Sequence, residues 1–450
     1  MGYSLTRWLT RGAGTLAVQA ALLGSLLGLA PVASLAIPSY ARQSGLPCNA
    51  CHVPYPQLNA FGREFKLMGY TLQGTEVPFY ERFAGMAEPA FTHTAADIPG
   101  GAAPHFSDNN NFSLNQASIF YGGRLLDALD KLGTFIQVTY DGVSRTTSWD
   151  NTDIRFADSA SPGGTPVTYG ITLNNNPSVQ DLWNTTPAWE FPFSSSGLAP
   201  APAAAPLIQG TLAGTVVGIG GYAMWNNLVY AEADVYQTPG TGFLKAMGIG
   251  SSDIDQQLDG GAPYWRFALQ KSGGLHAVSA GTFGLLANTY PGSDQSAGTS
   301  DRYLDVGFDL QYQYTNPTHY FTGRATWIGE DQTLNASVPL GLADNHTNHL
   351  YTLALSGTYL YDQTYSFSLG YNFIRGSADA ALYGTSNGSP DSNYFTVQAD
   401  WLPLNKHPLE TYPWFNPKLT AQYVHYAEFD GTTSNASDND TLYLQVWLVF

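Results

Sequence analysis

Apolar and polar residues alternate at every second position over much of the C-terminal half of the chain. Over residues 303–314 the even positions are Leu, Val, Phe, Leu, Tyr and Tyr, whereas the odd positions 305–313 are Asp, Gly, Asp, Gln and Gln. The pattern recurs over 351–361 and, after a short turn, over 365–374. A period of two predicts strands with one apolar and one polar face. Such segments of about ten residues are typical of transmembrane barrels, with a soluble β-sandwich as the alternative.

The same pattern, extended to the rest of the chain, predicts about sixteen strands. They are placed at 83–93, 112–125, 133–143, 167–174, 180–190, 211–220, 226–237, 263–271, 276–289, 303–314, 320–330, 351–361, 365–374, 394–403, 418–429 and 441–450. Long polar connections alternate with mostly shorter ones, as in barrels with extracellular loops and periplasmic turns. The region 143–210 is the least regular, so fourteen strands stays open. Phe450 ends the last strand and resembles the signal recognised by the outer-membrane barrel assembly machinery.

Composition favours a barrel in a lipid membrane. The chain has 28 Tyr, 23 Phe and 10 Trp but only 12 % charged residues, which fits neither a disordered chain nor a typical soluble enzyme. After residue 36 no apolar run is long enough for a membrane helix, so any crossing must be made by strands. The expected fold is all-β: a transmembrane antiparallel β-barrel of about sixteen strands in the bacterial outer membrane, preceded by a short N-terminal segment.

That segment carries Cys48-Asn49-Ala50-Cys51-His52, which includes both cysteines of the 450-residue chain. The spacing C-x-x-C-H is the attachment motif of c-type haem, in which the thiols bond the porphyrin and the histidine binds iron as proximal ligand. A disulfide or redox dithiol is one alternative, but it normally accompanies a βαβ unit. Zinc is another, but a closed site would need further soft ligands. One covalent haem c is therefore expected.

Residues 1–36 indicate the compartment, because their pattern is that of a cleavable signal peptide. Arg7 and Arg11 precede a run of small and apolar residues, and Ser34-Leu35-Ala36 provides a small-x-small cleavage pattern. A retained membrane helix is the alternative. Three parts are predicted: the signal peptide at 1–36, a monohaem cytochrome segment at 37–82 and the barrel at 83–450. A segment this short rarely folds alone, so it is expected to borrow walls from the barrel lumen.

The stretch from Ala36 to Tyr70 resembles the fused outer-membrane monohaem cytochrome-porins of iron-oxidising bacteria. The resemblance is carried by Pro38, Ala41-Arg42-Gln43, Gly45, Cys48, Cys51, His52, Leu58, Gly62-Arg63, Phe65-Lys66 and Gly69-Tyr70. It implies a haem plug in a sixteen-stranded barrel, oxidation of extracellular iron(II) or another redox donor, and transfer of electrons to a periplasmic c-type cytochrome. Over the barrel it extends only to architecture and composition.

The sixth ligand of the haem iron is open from the sequence. Met68 is the first choice because it is the nearest methionine after His52, and thioether ligation raises the haem potential. His93 and His105 are the alternatives, and Met86 is a weaker candidate. Arg42, Arg63 and Lys66 are candidates for pairing with the haem propionates or for anchoring the segment to inward acids of the barrel.

The charge and the motifs of the sequence limit the classes of function to be considered. The formal net charge of −17 favours a cationic or electron-donating visitor and predicts no nucleic-acid partner. Inward acids are expected at Glu232, Asp234, Asp305, Asp309, Glu330 and Asp400, with Arg324 as an isolated counter-charge. No hydrolase, zinc-protease or phosphate-loop motif is present in the sequence. An outward electron conduit and a diffusion porin with a haem redox gate remain as alternatives to an iron(II)-oxidising, cytochrome c-reducing conduit.

Overall fold

The computed structural model describes residues 38–71, 78–126, 128–406 and 414–450. The predicted signal peptide lies outside the described residues. Four helices are α1 Pro38–Ser44, α2 Ala60–Leu67, α3 Thr241–Ala246 and α4 Ala380–Tyr383. The strands are β1 Phe83–Thr94, β2 Asn111–Arg124, β3 Leu132–Asp141, β4 Thr146–Ala160, β5 Val167–Asn174, β6 Val217–Trp225, β7 Val229–Gln237, β8 Gln256–Leu258, β9 Ala262–Gly273, β10 His276–Pro291, β11 Asp301–Thr315, β12 His319–Thr333, β13 Thr347–Tyr361, β14 Tyr365–Gly376, β15 Ser392–Trp401, β16 Asn416–Glu428 and β17 Thr441–Val449.

These strands close into an antiparallel barrel. Apart from the short β8, each pairs with the next strand along the chain, and β1 pairs with both β2 and β17, which closes the sheet. The three-residue β8 pairs only with the end of β10, while β7 pairs directly with β9. Sixteen strands therefore form the wall, as predicted. Among the described residues no helix is long and apolar enough to cross a membrane.

The outer surface of the barrel is apolar and its interior is charged. On β11 the side chains of Phe308 and Leu310 are 55 % and 48 % exposed, whereas Asp305 and Asp309 are 0 % and 6 % exposed. A soluble sandwich would bury the first set and expose the second. The inward acids predicted from the sequence, and Arg324, are all buried in the interior: Glu232, Asp234, Asp305, Asp309, Glu330, Asp400 and Arg324. This alternation is that of a membrane barrel.

The two ends of the barrel differ in their connections. Short turns at 226–228, 274–275, 316–318 and 362–364 lie at one end, called here the turn end. The opposite end, called the loop end, carries long connections that include 95–110, 175–216 and 334–346. The first strand starts, and the last strand finishes, at the turn end. The predicted alternation of long and short connections is confirmed.

The predicted strand count was correct, but one predicted strand was wrong and one real strand was missed. Residues 180–190 form no strand; they are irregular and mostly buried inside the barrel. Their apolar side chains, such as Leu182 and Trp183, face the protein interior rather than lipid. In their place β4 spans Thr146–Ala160, a stretch so polar that it looked like a loop. The predicted strand 211–220 is shifted to Val217–Trp225.

Some of the charges inside the barrel are held in ion pairs. Arg266 on β9 donates to both carboxylate oxygens of Asp309 on β11, with Nη2 2.8 Å from Oδ2. The same guanidinium lies 3.5 Å from Asp181, and all three side chains are almost fully buried. A buried charge that loses its partner is costly because water cannot replace it. Arg266 therefore neutralises two acids that come from different parts of the chain, Asp309 on β11 and Asp181 in the connection after β5.

Replacing Arg266 by Met should leave Asp309 and Asp181 buried without their cation. We expect the free energy of unfolding to fall by about 3–5 kcal/mol, measured by urea titration of the protein refolded in lipid vesicles. The control is Lys131→Ala, which breaks the exposed pair with Asp158. Exposed pairs contribute little to stability, so equal losses in the two variants would contradict this account.

Candidate functional site

Residues 38–71, called here the plug, lie inside the barrel and are tied to its wall. Their hydrogen bonds reach strands around the lumen: Tyr40 to the Thr134 carbonyl at 3.0 Å, Gln43 to the Gly122 carbonyl at 2.8 Å, Tyr70 to Asp153 at 2.6 Å, Tyr222 to the Leu67 carbonyl at 2.7 Å, and Arg324 to Gln57 at 2.8 Å. The partners belong to β2, β3, β4, β6 and β12. The barrel wall thus supplies the packing surface that a segment of this length lacks.

The connection 175–216, called here the inward loop, folds into the lumen and contacts the plug. Lys66 of helix α2 donates from Nζ to the carbonyls of Val179 and Asp181, both at 2.7 Å. Asn184 accepts from the Leu58 amide at 3.0 Å. Burial lowers the pKa of the Lys66 ammonium to about 7. The plug and the inward loop therefore pack as one body within the barrel.

The motif Cys48 to His52 forms a tight turn. A 3₁₀ segment spans Cys48–Ala50, and the amides of Cys51 and His52 both donate to the Cys48 carbonyl, at 3.1 and 2.9 Å. His52 then pairs with Leu58 in an isolated bridge. The turn brings both cysteines and the histidine to the same region. Cys48 and Cys51 are thiols, both half-buried.

Asn59 holds this turn against helix α2. Its side-chain oxygen accepts from the Gly62 amide at 3.0 Å and caps the helix, while its amide nitrogen donates to the Ala50 carbonyl at 2.9 Å. Its backbone amide donates to the Cys51 carbonyl at 2.9 Å. An N-cap of this type contributes about 1 kcal/mol to a helix. Here the same residue also fixes the position of the cysteine turn.

Asn49 places the motif at the turn end of the barrel. Its side chain donates to Gln363, in the turn between β13 and β14, and to the Asn405 carbonyl at 3.1 Å, beyond β15. Both partners lie in turn-end connections. The cysteine turn therefore sits at the end where the barrel wall begins and finishes.

A cavity of about 560 Å³ lies between the plug, the inward loop and the wall. This volume falls within the range of cofactor sites. Cys48, Cys51 and His52 all line it. Its aromatic lining comes from all three parts: Tyr40, Tyr55, Phe61, Phe65 and Tyr70 of the plug, Trp189 and Phe193 of the inward loop, and Phe120, Phe135 and Trp447 of the wall. The cavity is thus a largely apolar chamber with two thiols and an imidazole in one wall.

His52 has the properties of a metal-binding imidazole. Burial lowers its pKa to about 4, against the opposing effect of the Pro56 and Gln57 carbonyls, so the ring is neutral at pH 7. The Nδ1 atom is buried and makes no hydrogen bond within the described residues. Neutral imidazole is the form that binds a metal. Together with the thiols and the aromatic chamber, it fits a covalently attached haem. The described residues contain no group of three or more His, Cys, Asp or Glu side chains placed to hold a metal ion by themselves.

The predicted distal ligands are not in this cavity. Met68 caps the C-terminus of helix α2 and is absent from the cavity lining. His93 lies near the loop end of β1, where its Nδ1 is 3.0 Å from Asn110 Oδ1. His105 lies exposed in the connection 95–110. Met86, the weakest of the sequence candidates, does line the cavity.

The two predicted arginines act as anchors in this structure. Arg42 donates to the Phe83 carbonyl at 2.6 Å and lies over the Trp414 ring. Arg63 is buried and donates to the Gln313 side chain at 2.6 Å. The anchoring partner of Arg63 is thus an amide rather than the acid expected from the sequence. Neither arginine lines the cavity; Lys66 does.

Sequence reasoning missed Asn59 and Trp189 as parts of the site. For Asn59 a signal was present, because an asparagine directly before an amphipathic stretch is a common N-cap. Trp189 carried no such signal: it is brought to the cavity only by the path of the inward loop. Lys66, predicted together with the two arginines, lines the cavity and is bonded to carbonyls of the inward loop rather than to an acid.

No protein-family model and no curated protein matches this chain. Solved structures of similar outline include an anion-selective porin from Comamonas acidovorans, with a TM-score of 0.44 and 12 % identity over 82 % of this chain and 98 % of the porin. The outer membrane channel DcaP of Acinetobacter baumannii has a TM-score of 0.43 and 12 % identity over 82 % and 96 %. OmpT of Vibrio cholerae has a TM-score of 0.40 and 12 % identity over 82 % and 96 %. The fold described above rests on its own strand pairings.

Gly62 is the position where the cysteine turn and helix α2 come closest. A Cβ atom at residue 62 would lie 2.2 Å from the Cys51 carbonyl oxygen, which is backbone and has little room to move. We expect Gly62→Ala to destabilise the plug by about 1–3 kcal/mol and to lower the ratio of haem stain to protein on a gel. The matched control is Gly242→Ala, where a Cβ meets nothing within 4 Å. Unchanged haem content in Gly62→Ala would contradict the close packing.

Proposed function

We propose that this chain is an electron conduit of the bacterial outer membrane, with one haem c attached to Cys48 and Cys51 and bound through His52 inside a porin-like barrel. The observation that carries the proposal is the shared position of these three side chains. They line one aromatic chamber enclosed by the plug, the inward loop and the barrel wall. A bound haem would supply a one-electron redox centre that takes an electron from a donor and gives it to a periplasmic c-type cytochrome.

The barrel supports the proposed location in the outer membrane and the proposed orientation across it. Its exterior is apolar and its charges face inward, as a lipid-embedded barrel requires. In outer-membrane barrels the short turns face the periplasm and the long loops face outside. This orientation puts the cysteine turn, held by Gln363 and Asn405, at the periplasmic end. An electron acceptor in the periplasm would then meet the side of the barrel nearest the motif.

Several residues of the chain make the chamber suitable for a redox cofactor. The aromatic walls exclude water, and a low-dielectric environment shapes the potential of a redox cofactor. Asn59 fixes the cysteine turn, and the neutral His52 ring presents a nitrogen ligand without first losing a proton. Burial raises the pKa of Glu190, also in the lining, to about 8, so that this carboxyl carries little charge at pH 7.

Iron(II) is the proposed donor, on the family resemblance of the plug sequence. Each iron(II) ion loses one electron and becomes iron(III), and each periplasmic cytochrome gains one, so the transfer balances. The formal net charge of −17 favours the approach of cations over anions. The activity is thus that of an iron(II) oxidase and cytochrome c reductase.

The filled lumen opposes the role of an open diffusion porin. Gln180 of the inward loop bonds Asp234 on β7, Thr185 bonds Asp309 on β11, and Gln422 on β16 donates to the Ser194 carbonyl. The loop therefore crosses from one side of the barrel to the other. Beside the plug it leaves little room for solute flow.

The proposal predicts haem-dependent electron transfer across a membrane. The purified protein in liposomes that enclose an oxidised c-type cytochrome should reduce that cytochrome when iron(II) is added outside, followed by absorbance. A Cys48→Ala, Cys51→Ala double variant should lose the haem stain and this transfer, because both covalent attachment points are gone.

Three outcomes separate this reading from its alternatives. Solute conductance without electron transfer would overturn the conduit and favour a porin. A haem that dithionite reduces but iron(II) does not would overturn iron oxidation. Reduction of an external acceptor by enclosed reduced cytochrome, with no transfer inward from iron(II), would reverse the direction of electron flow.

A further inference from the structure

Met86 lies where the plug meets the first strand of the wall. It is three residues into β1, points inward and is 5 % exposed. Its packing neighbours include the buried aromatic residues Phe120, Phe135 and Trp447. It lines the same cavity as His52. A sulfur donor carried by the barrel thus shares a chamber with an imidazole carried by the plug.

No second histidine or methionine lines the cavity within the described part of the chain. Other side chains in the lining that are able to bind iron are engaged elsewhere. The hydroxyl of Tyr40 donates to the Thr134 carbonyl and that of Tyr70 to Asp153. Lys66 donates to two carbonyls of the inward loop.

The acids of the lining are less suitable. Asp150 already accepts from the Thr139 hydroxyl at 2.7 Å, and burial keeps the carboxyl of Glu190 largely uncharged at pH 7. Glu88, two residues beyond Met86 on β1, accepts from Ser194 at 3.0 Å and from Gln445 at 2.6 Å. A carboxylate already held by two donors would have to give them up to bind iron. Met86 has no such competing contacts, because its thioether is a weak acceptor packed among rings.

The other sequence candidates do not line the cavity. His93 is seven residues farther along β1 than Met86, about 23 Å at the rise of an extended strand. Met68 ends helix α2, where the chain turns at Gly69 with a φ of 71°. Neither side chain reaches the lining of the cavity.

We propose that Met86 is the sixth ligand of the haem iron, opposite His52. The inference rests on the proposed haem attachment and deepens it. A thioether in this position stabilises the reduced state and raises the haem potential. The iron would then be bound by one ligand from the plug and one from the barrel, so that the redox centre itself joins the two.

The test compares Met86→Leu with Met68→Leu in the full-length, haem-loaded protein. Leucine is close to methionine in volume, so the chamber keeps its packing. For the wild type we expect the weak red charge-transfer band that marks a His–Met pair on ferric haem. Met86→Leu should lose this band and show a lower midpoint potential while keeping its haem stain. Met68→Leu should keep both band and potential.

A third variant guards against a general disturbance of the plug. Met86→His restores a strong ligand and should give a six-coordinate, low-spin spectrum without the charge-transfer band. Persistence of the band in Met86→Leu, its loss in Met68→Leu, or its absence from haem-stained wild type would overturn the assignment and leave the haem in place. Absence of haem stain from the wild type would instead overturn the proposed function itself.

Discussion

The structure depends on filling a lumen that the wall cannot fill with its own side chains. A barrel of this many strands encloses far more space than an eight-stranded one. Two segments from opposite ends of the barrel occupy it: the plug enters from the turn end and the inward loop from the loop end. Lys66 joins them through two carbonyls at 2.7 Å. Both segments also form hydrogen bonds with inward polar side chains of the strands. The wall, the plug and the inward loop therefore satisfy one another's buried polar groups.

This shared filling explains how so short a segment as the plug can form a defined site. The plug contains two small helices, and its rings pack both on one another and on the wall. Tyr40, Phe65 and Tyr70 form one group, while Tyr55 packs on Trp447 and Tyr70 on Phe135. The cavity therefore has walls from three parts of the chain. Removing any one would open it to water, so the plug and the barrel are best understood as one folding unit.

The parts that could be predicted from the sequence were those set by local pattern. Strand alternation along β11 and β13 and the spacing from Cys48 to His52 are visible in the residues themselves. What escaped prediction depends on tertiary contact. No strand was predicted at β4, whose Asp153 and Arg155 pair inside the barrel at 2.8 Å. A strand was predicted at 180–190, yet the Trp183 ring packs against Tyr230 in the interior. The cavity lining likewise brings together residues far apart in sequence, so proximity along the chain pointed to Met68 where the fold presents Met86.

The cavity is also asymmetric along the barrel. Its sulfur and imidazole groups lie toward the turn end, where Asn49 fixes the motif, whereas Glu88 and its cross-strand partner Gln116 line it farther toward the loops. A redox centre held in this chamber would have an apolar side near the periplasmic end and a polar side facing the outside. In the proposed conduit, electrons would cross a lumen that the plug and the inward loop fill, whereas a pore built on the same barrel would need that lumen open.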